Sequence, residues 1–216
     1  MLRIAPSMLA ADFLHLEESA DIVNKYADLF HLDIMDGTFV PNISFGFPVV
    51  EAISSVAEKP LDVHLMIINP EKYVERFAKA GASMLSFHYE AAGENFGEVI
   101  RLIRSFGMSP GIVINPDCPV GKVFPYLDDV DYVLIMSVFA GFGGQKFIEA
   151  TYDRIKTLKG ELLRRGLSRD IEVDGGVSPS NAKALSEAGA TILVAGSSVF
   201  KSEDPSGTIE AMRQSI

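Results

Sequence analysis

Eight short β-rich apolar runs recur along this chain with helical patterns between them, and that alternation limits the fold more than any other feature. The runs lie at Leu2–Pro6, Leu29–Ile34, Leu61–Leu65, Met84–Phe87, Gly111–Ile114, Tyr132–Met136, Ile171–Val173 and Ile192–Ala195. Between them, apolar residues fall three and four apart, as one face of a helix requires. Phe13, Leu16, Ala20 and Val23 make one such face; Tyr73, Phe77 and Ala80 make another; Phe96, Val99, Ile100 and Ile103 make a third. Asn69-Pro70-Glu71 and Ser178-Pro179-Ser180 read as helix starts, since proline suits the first helical turn. Two stretches echo each other, Lys79-Ala80-Gly81-Ala82-Ser83-Met84-Leu85 and Glu187-Ala188-Gly189-Ala190-Thr191-Ile192-Leu193. Each predicts a helix end, a glycine cap and a buried strand. Strands alternating with helices imply a parallel sheet with right-handed crossovers. The class is therefore α/β. At 216 residues with no linker-like segment, the reading is a single (β/α)8 TIM barrel domain over residues 1–216. An open doubly wound sheet is the alternative.

Charge and cysteine content narrow the functional classes. Nineteen basic and 29 acidic side chains give a formal net charge of −10, which disfavours the many Lys/Arg–phosphate contacts of nonspecific nucleic-acid binding. A local anion site built from backbone N–H groups is still open to such a chain. Cys118 is the sole cysteine, so no intrachain disulfide forms, and a reducing compartment fits. The start, Met1-Leu2-Arg3-Ile4-Ala5-Pro6-Ser7, lacks the pattern of a signal peptide. No apolar run is long enough to span a bilayer. The expectation is a cytoplasmic protein with neither nucleic-acid nor membrane partners.

Polar residues concentrate at the carboxyl ends of the predicted strands, where α/β proteins place their active sites. Residues two apart on a strand share a face. His31, Asp33 and Met35 therefore point one way on the second strand, and Asp62, His64 and Met66 do so on the third. Glu172 and Asp174 share a face on the seventh. Two imidazoles and two carboxylates from three strands make a four-coordinate site for a divalent cation, and mixed N/O donors suit Zn, Fe, Mn or Co. One such histidine alone is better explained by interior hydrogen bonding. The set is not, because unpaired carboxylates at strand ends are costly to bury. His15 falls early in the first helix on a solvated face and is given no role; His88 ends the fourth strand without a same-face carboxylate and reads as a supporting residue.

Three glycine turns form a second constellation: Gly141-Phe142-Gly143-Gly144-Gln145, Gly175-Gly176 and Gly196-Ser197-Ser198. They follow the sixth, seventh and eighth strands. Glycine lets backbone N–H groups approach an anion closely, and barrels often hold a phosphate after strands seven and eight. Met35, Met66 and Met136 fall at strand ends. They serve either as core filler or as a polarizable wall around a reaction centre.

Taken together, these blocks resemble the ribulose-phosphate 3-epimerase family. The matching segments are Ala5-Pro6-Ser7 with Ala11-Asp12-Phe13, His31 to Gly37 with Phe39-Val40-Pro41-Asn42, Asp62 to Met66, Met136-Ser137-Val138 with Gly141 to Gln145, Glu172 to Gly176, and Ala195 to Phe200. They span essentially the whole chain. One difference is Ala140, where the family usually has a proline. The resemblance implies inversion at C3 between D-ribulose 5-phosphate and D-xylulose 5-phosphate, in the pentose phosphate pathway. It implies one divalent metal ion per chain held by His31, Asp33, His64 and Asp174, and a homo-oligomer. It further implies that Ser7, His64 and Asp174 contact the sugar phosphate, with Gly141, Phe142, Gly143, Gly144, Gly175, Gly176, Gly196 and Ser197 around it.

Those residue types suit that chemistry. The C3 proton lies beside the C2 carbonyl, and its removal leaves an enediolate that a cation stabilises. Inversion then needs a base on one face and an acid on the other, roles assigned to Asp33 and Asp174. The loops Asp36–Asn42 and Phe139–Gln145 are the expected lids. Competing expectations are 3-epimerisation of another ketose phosphate such as allulose 6-phosphate, a sugar-phosphate lyase or decarboxylase on the same barrel, and a non-catalytic sugar-phosphate sensor.

Overall fold

The computed structural model describes residues 2–214, so Met1, Ser215 and Ile216 of the domain expected over 1–216 lie outside it. Eight strands run β1 (Arg3–Pro6), β2 (Phe30–Met35), β3 (Leu61–Met66), β4 (Ala82–His88), β5 (Ser109–Ile114), β6 (Tyr132–Met136), β7 (Asp170–Asp174) and β8 (Ile192–Ala195). All pair in parallel, in the order β1-β8-β7-β6-β5-β4-β3-β2. A parallel bridge between Ser7 and His31 spans the seam between the two outer strands. The result is the expected (β/α)8 barrel, and the open sheet is excluded by that closure.

Every residue of β2 and β3 is buried, because helices cover one side of each strand and the barrel interior covers the other. The outward residues pack under the helices in one continuous core that includes Leu32, Ile34, Val63, Leu65, Ile112 and Val173. Inward, Ala5, Leu29, Met84, Tyr132, Ile192 and Val194 fill the lower interior. His31, Asp33, Asp62, His64 and Glu172 are buried too, and polar groups at that depth must find partners.

Helices depart from expectation in two places. The first, α1 (Leu16–Tyr26), begins three residues after Phe13, which is 47% exposed. Asp12 causes the delay, since its carboxylate accepts the Leu14 N–H at 2.9 Å and its carbonyl accepts the His15 N–H. That turn competes with a helix. Pro70 opens only a 3-10 turn, Pro70–Lys72, and the α-helix begins at Val74, leaving Tyr73 41% exposed. By contrast, Phe96, Val99, Ile100 and Ile103 are all buried on the helix Phe96–Ser105. Pro179 does open a helix, Pro179–Ala188, with the Ser178 N–H donating to Asn181 Oδ1 at 2.9 Å.

Candidate active site

Strand register assembles the polar cluster. Asp33 pairs with His64 and His31 with Asp62 across β2 and β3, while Asp174 ends β7 opposite Met136. His31, Asp33, His64 and Asp174 each bring a donor atom within 4.8 Å of the others. Asp33 sits between both imidazoles, with Oδ1 3.4 Å from His31 Nε2 and 3.2 Å from His64 Nδ1. Its Oδ2 accepts the Ser7 hydroxyl at 2.5 Å. Asp174 Oδ2 lies 4.0 Å from His64 Nδ1.

A floor of further residues holds the cluster. His31 Nδ1 meets Asp62 Oδ2 at 2.6 Å, and Tyr132 donates its hydroxyl to Asp62 Oδ1 at 3.0 Å. With Nδ1 committed to Asp62, Nε2 of His31 is the nitrogen presented to the cluster, and it is buried without a hydrogen bond, its carboxylate neighbour Asp33 Oδ1 standing off at 3.4 Å. A buried imidazole nitrogen without a hydrogen bond is costly, and a cation would satisfy it. Two nitrogen and two carboxylate donors facing one point fit a divalent cation. The buried His/Asp cluster can therefore hold a metal ion.

The two aspartates have opposite electrostatics. Burial pushes against the charge on Asp33, but the neighbouring His31 and His64 outweigh it and hold its carboxyl below the usual range. Burial, reinforced by the Asp33 charge, raises Asp174 to about 7. Burial lowers His64 to about 4. His31 is also opposed by burial, yet Asp33 and Asp62 on either side carry it well above an ordinary histidine. Burial and the Asp62 charge raise Glu172. A metal binding here displaces protons from Asp174 and His31. Divalent-metal affinity, read by chelator competition, is thus expected to weaken as pH falls below about 7, by about tenfold or more per pH unit. Affinity that stays flat between pH 6 and 8 would remove Asp174 from the ligand set.

A cavity of about 590 Å³ opens above the cluster, within the range of small-ligand sites. Ser7, Asp33, Asp174 and the three methionines Met35, Met66 and Met136 line it. So do Gly141, Phe142, Gly143, Gly144, Gly175, Gly176, Gly196 and Ser197. His31 and His64 are fully buried instead. Gly175 and Gly176 have φ of 116° and 63°, which side-chain-bearing residues rarely adopt. A Cβ on Gly176 would also meet the Phe147 backbone nitrogen at 2.7 Å. The two expected lid loops are joined by Asn42 Nδ2, which donates to the Gly141 carbonyl at 2.9 Å. Ala140 donates its N–H to Asn115 Oδ1 at 3.1 Å, a bond that proline, lacking the N–H, cannot make.

Several participants escaped the sequence reading. Asp62 and Glu172 were legible as inward-facing but not as the support under His31, and Tyr132 carried no signal at all. Lys201, one residue past the short helix Ser197–Phe200, also lines the cavity. His88 does have a carboxylate neighbour, contrary to expectation. Glu90 Oε2 stands 3.5 Å from its Nδ1, brought there by the helical turn Tyr89–Ala92 rather than by the strand. His15 is exposed and engaged only with Asp12, at 2.8 Å.

Fold and site together define a TIM-barrel enzyme with a buried, cation-competent His/Asp cluster beneath a glycine-rimmed cavity. The chain belongs to the ribulose-phosphate 3-epimerase family, whose model matches residues 3–200. It is 46% identical over 218 residues to the ribulose-phosphate 3-epimerase of Bacillus subtilis (strain 168), with the whole of both chains covered. It is 44% identical over 218 residues to the cytoplasmic isoform of that enzyme from Oryza sativa subsp. japonica, covering 99% of this chain and 94% of the relative. Among solved structures, it resembles KGPDC from Streptococcus mutans at a TM-score of 0.75 and 13% identity, covering 100% of this chain and 97% of that one. That last likeness concerns the fold alone.

Proposed function

We propose that this chain inverts C3 of D-ribulose 5-phosphate to give D-xylulose 5-phosphate by proton transfer between two aspartates. The observation that carries the reading is the opposed pair Asp33 and Asp174. They come from β2 and β7, which the barrel separates by β1 and β8, and their donor atoms converge within 4.8 Å. Asp33, held charged by its imidazoles, takes the C3 proton from one face. Asp174, when it is the protonated partner, delivers a proton to the other face, and the roles exchange in the reverse direction. Ser7 keeps Asp33 oriented through its hydroxyl. The wall of Met35, Met66 and Met136 keeps water from the intermediate.

His31, Asp33, His64 and Asp174 are the proposed holders of one divalent ion per chain, drawn from Zn, Fe, Mn and Co. When bound, the ion supplies Lewis-acid stabilisation of the enediolate. We place His64 at the ion rather than against the sugar, because it is fully buried. The glycine turns at Gly141–Gly144, Gly175–Gly176 and Gly196, with Ser197, are assigned to the phosphate, which holds C3 in position. No helix among the described residues is long and apolar enough to cross a membrane. A cytoplasmic, homo-oligomeric enzyme of one barrel domain completes the reading.

The direct test is NMR of ribulose 5-phosphate in heavy water with metal-loaded protein. Deuterium is expected at C3 together with xylulose 5-phosphate. Absence of both, or a higher kcat/KM on allulose 6-phosphate, would overturn the substrate assignment.

The phosphate site has its own test. A Cβ at Gly143 has only Leu9 Cδ2 near it, at 4.0 Å, and one at Gly196 finds nothing closer than 3.4 Å. Both glycines line the cavity, and a Cβ at either makes only ordinary contacts. Gly143→Val and Gly196→Val are expected to raise KM for the phosphorylated sugar by about tenfold or more, with a smaller fall in kcat from lost positioning. Equal turnover of ribulose without its phosphate by the unmodified enzyme would refute the phosphate assignment.

A further inference from the structure

His88 and Glu90 lie outside the four-residue cluster yet reach it. His88 is fully buried. Its Nε2 stands 2.9 Å from Nε2 of His64, and the two rings stack at 5.0 Å between centroids. On its other side, His88 Nδ1 is 3.5 Å from Glu90 Oε2 and 3.4 Å from Asn115 Nδ2. Glu90 Oε1 accepts the Asn115 backbone N–H at 3.0 Å, and Asn115 Oδ1 accepts the Ala140 N–H at 3.1 Å. The Asn115 amide is thereby turned with its NH2 group towards His88.

Two facing imidazole nitrogens share one proton, so one must donate and the other accept. Nδ1 of His64 is the nitrogen that faces Asp33 and Asp174. For His64 to hold a cation, Nδ1 must be bare and the ring proton must sit on Nε2. That proton is donated to Nε2 of His88. His88 must then carry its own proton on Nδ1. There Asn115 offers only another donor, and the available acceptor is Glu90 Oε2. Without that acceptor, the Asn115 NH2 group favours the opposite chain. His88 then accepts at Nδ1, donates from Nε2, and leaves the His64 proton on Nδ1, in the cation's place.

We propose that His88 and Glu90 are positioning residues that hold His64 in the tautomer whose Nδ1 is free for a divalent cation, with Glu90 as the terminal acceptor. The inference rests on the proposed ligation by His64. It also accounts for a buried histidine that neither touches the cavity nor belongs to the cluster.

The ranking of two substitutions tests it. The Glu90 side chain is 30% exposed, so it tolerates change. Glu90→Ala removes the acceptor. Glu90→Gln keeps the size, but its one amide oxygen serves either His88 or the Asn115 N–H, and its NH2 group then opposes a donor at the other. Both lose the same charge, so their difference reports hydrogen bonding. In Zn²⁺ binding to the metal-stripped full chain, measured by chelator competition, both should bind more weakly than the unmodified protein. The loss should be within about 10–100-fold, with Glu90→Gln the weaker binder and Tm little changed. A second pair guards against misfolding: His88→Gln, whose oxygen can accept from His64 Nε2, should bind Zn²⁺ more tightly than His88→Leu. Unchanged affinity in the Glu90 variants, Ala binding more weakly than Gln, or His88→Gln no better than His88→Leu overturns the proposal. His64→Ala in the same assay separates the two readings. If it binds Zn²⁺ as well as the unmodified protein, the ligand assignment itself has failed.

Discussion

Asp33→Asn and Asp174→Asn are each expected to lower net epimerisation by about 10²–10⁴-fold, the range that one positioned proton donor or acceptor supplies. Asparagine is nearly isosteric but takes up no proton at neutral pH. Inversion needs a transfer on each face, so losing either aspartate stops it. Both residues are also proposed ligands, so metal content must be measured with rate. Solvent exchange is the sharper readout. A metal-loaded variant with one working aspartate should still exchange the C3 proton of a single epimer with deuterium without converting it. Near-normal epimerisation by either metal-loaded variant would eliminate that aspartate. The neighbouring carboxylates offer no easy replacement. Asp62 is fully buried and held by His31 and Tyr132, and Asp36 is occupied by the backbone N–H groups of Thr38, Phe39 and Ile68.

His64→Ala is expected to weaken divalent-metal binding by more than about 100-fold, beyond the 10–100-fold that outer partners of a ligand contribute. His31→Ala should do the same and lower Tm as well. It removes the partner of Asp62, whose buried carboxylate sits 2.6 Å from the imidazole; breaking a buried pair costs about 3–5 kcal/mol. His64 is flanked by His88, which is neutral when buried, so its loss leaves no buried charge unpaired on that side. The two variants should therefore differ in stability while agreeing in metal loss. Metal titration with thermal unfolding checks both, and full occupancy and activity in both would sink the metal assignment.

How much of this was legible along the chain depends on the range of the interaction. Strand alternation is local. Period-two spacing aimed His31 and Asp33, Asp62 and His64, and Glu172 and Asp174 at one interior, and barrel closure then gathered them into two groups that share His31, one with Asp33, His64 and Asp174 and one with Asp62 and Glu172. The glycine turns were equally readable, since tight backbone turns demand that residue. The start of α1 is not legible in apolar spacing, because the Asp12 turn outcompetes helix formation within a few residues.

The order of the elements and the inward faces of the strands were set by the sequence itself, because each follows from a repeat of two or of three to four residues. Tertiary structure alone decided which carboxylate supports which imidazole. Tyr132 reaches Asp62 from three strands away, and Glu90 reaches His88 only because a turn folds back beside the end of β4. It also decided that Asp33 stays charged while Asp174 is raised. The two side chains are chemically identical. Burial penalises the charge on both, and only Asp33 lies close enough to two imidazoles to overcome that penalty.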